Sequence, residues 1–210
     1  MNRVKQGILI AFEGIDGSGK STLIKNILQM LQEKKYAAIA TREPGGSWIG
    51  KHIRPLLQTQ PLPLTPRAEY LLFAADRAQH IHDLIKPALA QGTIVLCDRM
   101  GDSSLAYQGY GRGLNPTMIS TINTWAMNEL KPTITVYVDI DLTTALSRIH
   151  GSRQEITAFE QEHAFLARVL DAYQTMYQNR TDVIWADGTL GEATLAKKVF
   201  EQLYEYINHA

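Results

Sequence analysis

The chain has 210 residues, 45% of them apolar, and its 21 Lys plus Arg balance 21 Asp plus Glu. That length and apolar share predict one folded domain with a sizeable core, not a disordered segment. The even charge argues against a protein that wraps DNA or RNA, and the single cysteine, Cys97, excludes an intrachain disulfide framework or a zinc site of several thiols.

The first apolar run, Ile8 to Phe12, is too short for a signal h-region or a membrane span, so a cytoplasmic protein with no membrane partner is expected. The run has no polar alternation, as in a strand buried on both faces. A glycine-rich loop follows, then a helical pattern from Lys20 to about Glu33 carried by Leu23, Ile27, Leu28 and Leu31. Ala37 to Thr41 reads as a second strand, broken by Pro44-Gly45-Gly46, and a short helix runs to about Leu57. Gln58 to Leu64 is a proline-punctuated loop. Thr65-Pro66 places a capping hydroxyl before a proline and opens a helix predicted to reach about Gln91. Thr93 to Cys97 is a third buried strand, ending at Asp98-Arg99. Asn115-Pro116 repeats the cap signal for a helix to about Leu130, and Thr133 to Val138 is a fourth strand. Asp141 caps a helix to about His150; Gly151 to Ala158 is polar and irregular. Phe159 to Asn179 is helical, Val183 to Ala186 is a fifth strand, and Leu190 to Ile207 is a last helix.

Strands alternating with helices predict an α/β fold: three layers, α/β/α, around a five-stranded parallel sheet. Ligands of such sheets sit at the carboxyl ends of the strands. The informative residues fall there. Gly14-Ile15-Asp16-Gly17-Ser18-Gly19-Lys20-Ser21-Thr22 lies between a buried strand and a helix and has the P-loop spacing. Its glycines let the backbone turn several N–H groups on one anion, and the helix adds its positive end. Lys20 can reach the β and γ phosphates of ATP, and the Ser21 hydroxyl can ligate Mg²⁺. Asp98, at a strand end, is a candidate carboxylate for the same Mg²⁺ through water, the alternative being a helix cap. Asp98-Arg99-Met100-Gly101 imitates a GTPase switch motif, but no Asn-Lys-x-Asp guanine reader is present. A compact kinase of the P-loop NTPase class remains.

On the predicted third helix Phe73 and Arg77 are four apart and share a face. A ring can stack on a base and a guanidinium can donate to base carbonyls; the alternative is a core Phe beside a surface Arg. Arg99 follows a buried strand, and its planar fork suits a phosphate. His80, His82 and His163 are scattered on helices and read as core or surface residues, and Cys97 reads as a buried core thiol.

Over essentially its whole length the chain resembles the thymidylate kinases, nucleoside monophosphate kinases that phosphorylate dTMP to dTDP. The resemblance rests on the glycine loop preceded by Glu13, on Thr41-Arg42-Glu43-Pro44-Gly45-Gly46, on Asp98-Arg99 and on Ala106-Tyr107-Gln108-Gly109. It implies MgATP as donor, dTMP as substrate and a homodimer. It also implies that Phe73 stacks on thymine, Arg77 donates to its O4, and Arg99 grips the acceptor phosphate. Glu43 and Arg54 match positions lining the monophosphate pocket, with a cis peptide expected before Pro44. Ser104 and Gln108, one turn apart, match thymine-contacting positions. Tyr107 matches the residue that crowds the sugar and disfavours a ribose 2′-hydroxyl. Asp16 matches a carboxylate between donor and acceptor.

One branch of the family carries an arginine inside the glycine loop. Here that position is Gly17, which implies that the catalytic arginine comes from a lid, expected over about residues 148–159. Arg153 is expected at the γ-phosphate and Arg148 near adenine. The Asp-Arg pair of many bacterial lids is missing, because Ile156-Thr157-Ala158 precedes Phe159-Glu160. The expected reaction is phosphoryl transfer from MgATP to dTMP. The alternatives are another nucleotide or nucleoside kinase and a P-loop module that binds ATP without turnover.

Overall fold

The computed structural model describes residues 4, 6–58, 64–152 and 163–209. Five strands form one sheet: β1 (Ile8–Glu13), β2 (Ala38–Arg42), β3 (Ile94–Asp98), β4 (Ile134–Asp139) and β5 (Val183–Asp187). Their order is β2-β3-β1-β4-β5, and every pairing is parallel. β1 is central, with β3 on one side and β4 on the other, so the chain changes winding direction there. A crevice opens at such a point.

Successive side chains of a strand face opposite sides. Ile8, Ile10 and Phe12 therefore join a core under α1 (Lys20–Glu33) and α9 (Glu192–His209), with Leu23, Ile27, Val199 and Leu203. Leu9 and Ala11 face the other way, against Val95, Cys97, Ile81 and Ile85. Glu13 is next in that alternation and is also buried. Five apolar residues in a row fit this double burial. No helix among the described residues is long and apolar enough to cross a membrane.

The capping signals place helix starts well. Thr65 Oγ1 accepts from Ala68 N at the head of α3 (Pro66–His80), and Asn115 Oδ1 accepts from Thr117 N at the head of α6 (Pro116–Ala126). Asp141 Oδ1 accepts from Thr144 N before α7 (Leu142–Ser152). Helix interiors and ends differ from expectation. The helix predicted to run to Gln91 is interrupted by a π-helical stretch, Ile81–Ile85, before α4 (Lys86–Ala90). Pro87 has no N–H for the carbonyl four residues back and its ring crowds that carbonyl, so the wider turn relieves both. α6 stops at Ala126 and not at Leu130, because Asn128 and Glu129 take left-handed backbone angles, φ 47° and 62°. Residues 151 and 152, expected to be irregular, belong to α7. α8 (His163–Tyr177) opens the last described stretch; residues 153–162, where the irregular segment was expected to end and the next helix to begin, lie outside the described residues.

No element was predicted between Asp98 and Asn115. The structure places α5 (Gly101–Ser104) there, continuing into a π-helical stretch, Leu105–Gly111. The buried residues of this segment include Ser103, Ser104 and Gln108. Ala106 and Tyr107 are buried beside them, and such a mixture of polar, apolar and glycine positions leaves no apolar period to read. The short α2 (Gly50–Gln58) completes the acceptor side of the cleft.

Candidate active site

The glycine loop lies between β1 and α1 at the winding switch. Gly14, Gly17 and Gly19 have φ of 136°, 78° and 96°, a region side chains disfavour. Space forbids side chains at two of them as well. A Cβ on Gly14 would lie 2.7 Å from the Val138 carbonyl oxygen, and one on Gly17 would overlap that of Ala145 in α7. Gly19 offers α1 no side-chain cap, so the first-turn N–H groups are left for a ligand. Lys20 Nζ donates to the Ile15 carbonyl at 2.7 Å and lies 3.4 Å from Ser18 Oγ. Burial, then the nearby Arg99, pulls the Lys20 pKa down to about 8. Ser21 Oγ donates to Asp98 Oδ2 at 3.0 Å. Asp98 Oδ1 is buried with no hydrogen-bond partner among the described residues. Asp98 does not cap α5, whose N-cap is Met100.

The loop forms one wall of a cleft of about 1040 Å³. Arg99 stands opposite, just beyond β3, with φ 68°. Its Nη1 donates to the Gly14 carbonyl (2.9 Å) and Ser103 Oγ (3.2 Å), its Nη2 to Asp16 Oδ1 (2.8 Å) and the Tyr107 hydroxyl (3.2 Å). Nε has no acceptor among the described residues. That N–H is the one left for a ligand; a two-pronged grip on a phosphate through Nε and Nη2 takes Nη2 from Asp16 or Tyr107.

Deeper in the acceptor half Arg77 is 1% exposed, so it is not a surface arginine. Nε donates to Glu43 Oε2 (2.7 Å), Nη1 to Asn123 Oδ1 (2.7 Å), and Nη2 to the Met100 carbonyl (3.1 Å) and Ser104 Oγ (2.9 Å). One Nη1 hydrogen is left without an acceptor among the described residues, in a cleft whose wall includes Phe73. Glu43 also meets His80 Nδ1 at 3.1 Å, while His80 Nε2 lies 2.7 Å from Thr41 Oγ1. Burial raises the Glu43 pKa, but Arg77 and His80 together outweigh it and hold the carboxyl below its usual range. The Glu43–Pro44 peptide is cis, as expected, and Arg54 Nη1 donates to the Pro44 carbonyl at 2.8 Å. Gln108 Nε2 donates to Glu69 at 2.8 Å. The Cys97 thiol is buried and donates to the Arg99 carbonyl.

Arg148 Nη1 donates to the Gly188 carbonyl at 2.8 Å, at the end of the cleft lined by Thr189, Leu190 and Gly191. Arg153 lies outside the described residues. Of the predicted residues within them, Gly14 and Ile15 are off the cleft wall. Their carbonyls hold Arg99 and Lys20, and the Ile15 side chain is in the core beside Tyr137. Sequence reasoning missed the wall at 188–191, where only the glycines stand out. It also missed Asn123, Ser103, Glu13 and Arg42. Arg42 ends β2 and lines the cleft, and the Thr-Arg-Glu-Pro-Gly-Gly motif contains it.

The thymidylate kinase family model matches residues 12–199. A thymidylate kinase of Halothermothrix orenii is 44% identical over 178 residues, 83% of this chain and 86% of that protein. One of Geotalea uraniireducens is 42% identical over 213 residues, 95% of this chain and 99% of its own length. Among solved structures, the crystal structure of thymidylate kinase from Ehrlichia chaffeensis aligns with a TM-score of 0.75 at 31% identity, covering 94% of this chain and 99% of that one. A five-stranded parallel sheet carrying a P-loop opposite a second arginine site, matched over nearly its full length, places this chain in the thymidylate kinase family.

Proposed function

We propose that the protein transfers the γ-phosphoryl group of ATP to the 5′-phosphate of dTMP, giving ADP and dTDP on the way to dTTP. One observation carries the reading. A loop built for donor phosphates and an arginine fork suited to an acceptor phosphate meet in one cleft, with Arg99 Nη2 2.8 Å from Asp16 Oδ1 inside the loop. An acceptor phosphate oxygen, already anionic, attacks the γ-phosphorus in line. The bond to the β,γ-bridging oxygen breaks, and its electron pair leaves with ADP. Positioning and charge stabilisation suffice, and no side-chain base is required. Loop amides, Lys20 and Thr22 hold the donor, with Arg148 near the adenine end. Arg99 holds the acceptor phosphate. Phe73 stacks on thymine, the spare Arg77 N–H meets its O4, and Ser104 and Gln108 border the base. Tyr107 crowds the sugar, Arg54 and Glu43 frame the pocket, and Asp16 lies between donor and acceptor.

Mg²⁺ belongs to this reading. A buried carboxylate oxygen without a partner is costly, and Asp98 Oδ1 beside the Ser21 hydroxyl is a fitting donor set for a hard cation. Bound there, the ion neutralises phosphate charge. A lid over about 148–159, within a single domain of residues 1–210, supplies Arg153 to the transition state. A homodimer is part of the proposal, supported by Leu71 on α3 and Met118 and Trp125 on α6, which are 56%, 59% and 82% exposed on two helices packed together. A cytoplasmic location fits a chain whose one cysteine needs no oxidising compartment.

The test is ADP release coupled to a spectroscopic readout, with dTMP, dUMP, other monophosphates and thymidine offered in turn. Release that depends on dTMP is expected. Uracil lacks one methyl, a difference of about 1–3 kcal/mol, so dUMP should be a weaker substrate. ADP release with thymidine alone, or ATP binding without turnover, overturns the proposal.

A further inference from the structure

Glu13 is the last residue of β1 and is 0% exposed. A carboxylate there loses its hydration, which is costly unless its oxygens are matched by donors. Three donors converge on it. Oε1 accepts from Met100 N at 2.8 Å. Oε2 accepts from Ser103 Oγ at 2.5 Å and from the Tyr173 hydroxyl at 2.9 Å. Two of the three flank Arg99. The Met100 N–H belongs to the peptide directly after Arg99, whose φ of 68° a side chain adopts only when its surroundings impose it. The Ser103 hydroxyl has one hydrogen. With that hydrogen on Glu13, the oxygen is left as an acceptor, and Arg99 Nη1 donates to it at 3.2 Å. The carboxylate thus holds Arg99 by its backbone and by its guanidinium without touching it.

Resting on the reading that Arg99 grips the acceptor phosphate, we propose that Glu13 is a positioning residue for that grip, acting through Met100 N and the Ser103 hydroxyl. Both the charge and the acceptor-only character matter. An amide in its place presents N–H either to Ser103, which turns that hydrogen bond around and removes an acceptor from the Arg99 side, or to the Met100 N–H, which sets donor against donor and loses the bond. Other charged groups nearby are Asp102, Arg99 and Lys20; burial first, then Asp102, pushes the Glu13 pKa up to about 7, so the acceptor-only carboxylate that makes these contacts is the form that prevails above that pH.

The experiment compares Glu13→Gln, Ser103→Ala, their double variant and Arg99→Lys, with KM for dTMP and for ATP measured separately and folding followed by thermal melting. Hydrogen bonds to charged groups translate into about a 10- to 100-fold rise in dTMP KM for Glu13→Gln, with ATP KM within about 2-fold of the parent. The double variant should be no worse than Glu13→Gln alone, because Ser103→Ala removes one of the two arms that Glu13→Gln already disturbs. A dTMP KM that does not move, or both KM values rising together, overturns the inference. If Glu13→Gln does not fold, Glu13→Asp decides, its carboxylate drawn back from Met100 N and Ser103: a selective rise in dTMP KM supports the relay, and no rise overturns it. Arg99→Lys separates the two levels. If it leaves dTMP KM unchanged, the role given to Arg99 falls and the inference with it. If it raises dTMP KM while Glu13→Gln does not, only the inference falls.

Discussion

The two halves of the cleft are built on different principles. The donor wall is mostly backbone: three glycines with positive φ, amides at a helix start and carbonyls that hold Lys20 and Arg99. The acceptor wall is side chain on side chain, with Arg77 held by Glu43, Asn123 and Ser104, and Glu43 held in turn by His80. A backbone cradle depends on conformations that few residues permit. A side-chain cradle depends on every partner being present, because each buried polar group left bare is costly. Damage to the donor wall should therefore show in ATP binding, and damage to the acceptor wall in stability as well as dTMP binding.

The sharpest break falls on the acceptor side. Glu43→Ala leaves the Arg77 guanidinium buried without its countercharge, and removal of one partner of such a pair costs about 3–5 kcal/mol. Urea denaturation should show a loss of that size together with a raised dTMP KM. A loss below about 1 kcal/mol means the wall does not depend on mutual support, since even an ordinary hydrogen bond contributes that much.

Next comes Gly17→Ala on the donor side. The left-handed backbone costs a side chain about 1–2 kcal/mol, and the new methyl meets the Ala145 carbonyl. ATP KM should rise about 10-fold, the equivalent of 1.4 kcal/mol, with dTMP KM little changed. Normal ATP affinity in this variant removes the contrast between the walls.

The smallest effect is a proton. Burial, then Arg99, lowers the Lys20 pKa from 10.5 to about 8. Near pH 8 about half the free protein therefore carries a neutral Lys20, and lower pH favours the charged form. Phosphates favour the ammonium, so ATP binding at pH 8 should take up about half a proton, and at pH 7 much less. Calorimetry in two buffers of different ionisation heat measures this. No uptake at pH 8 means Lys20 is already fully charged in the free protein.

The sequence alone determined the sheet class, the placement of the site at strand ends, the glycine loop and the caps at Thr65, Asn115 and Asp141. These are local signals: a buried run, a spacing, a side chain reaching an N–H two or three residues away. The motifs also marked the acceptor residues through their family likeness, while leaving Arg77 open between surface and site. Only the tertiary structure decided that question, because its partners stand 34, 46 and 27 residues away in the chain. It also decided that 101–111 is helical, where the buried positions mix polar and apolar residues and carry no apolar period, and that Glu13 meets Met100 N and Ser103, on either side of Arg99, across 87 and 90 residues of chain. A glycine's backbone angle is written in its own residue type, but a buried charge takes its meaning from whatever the fold brings to it.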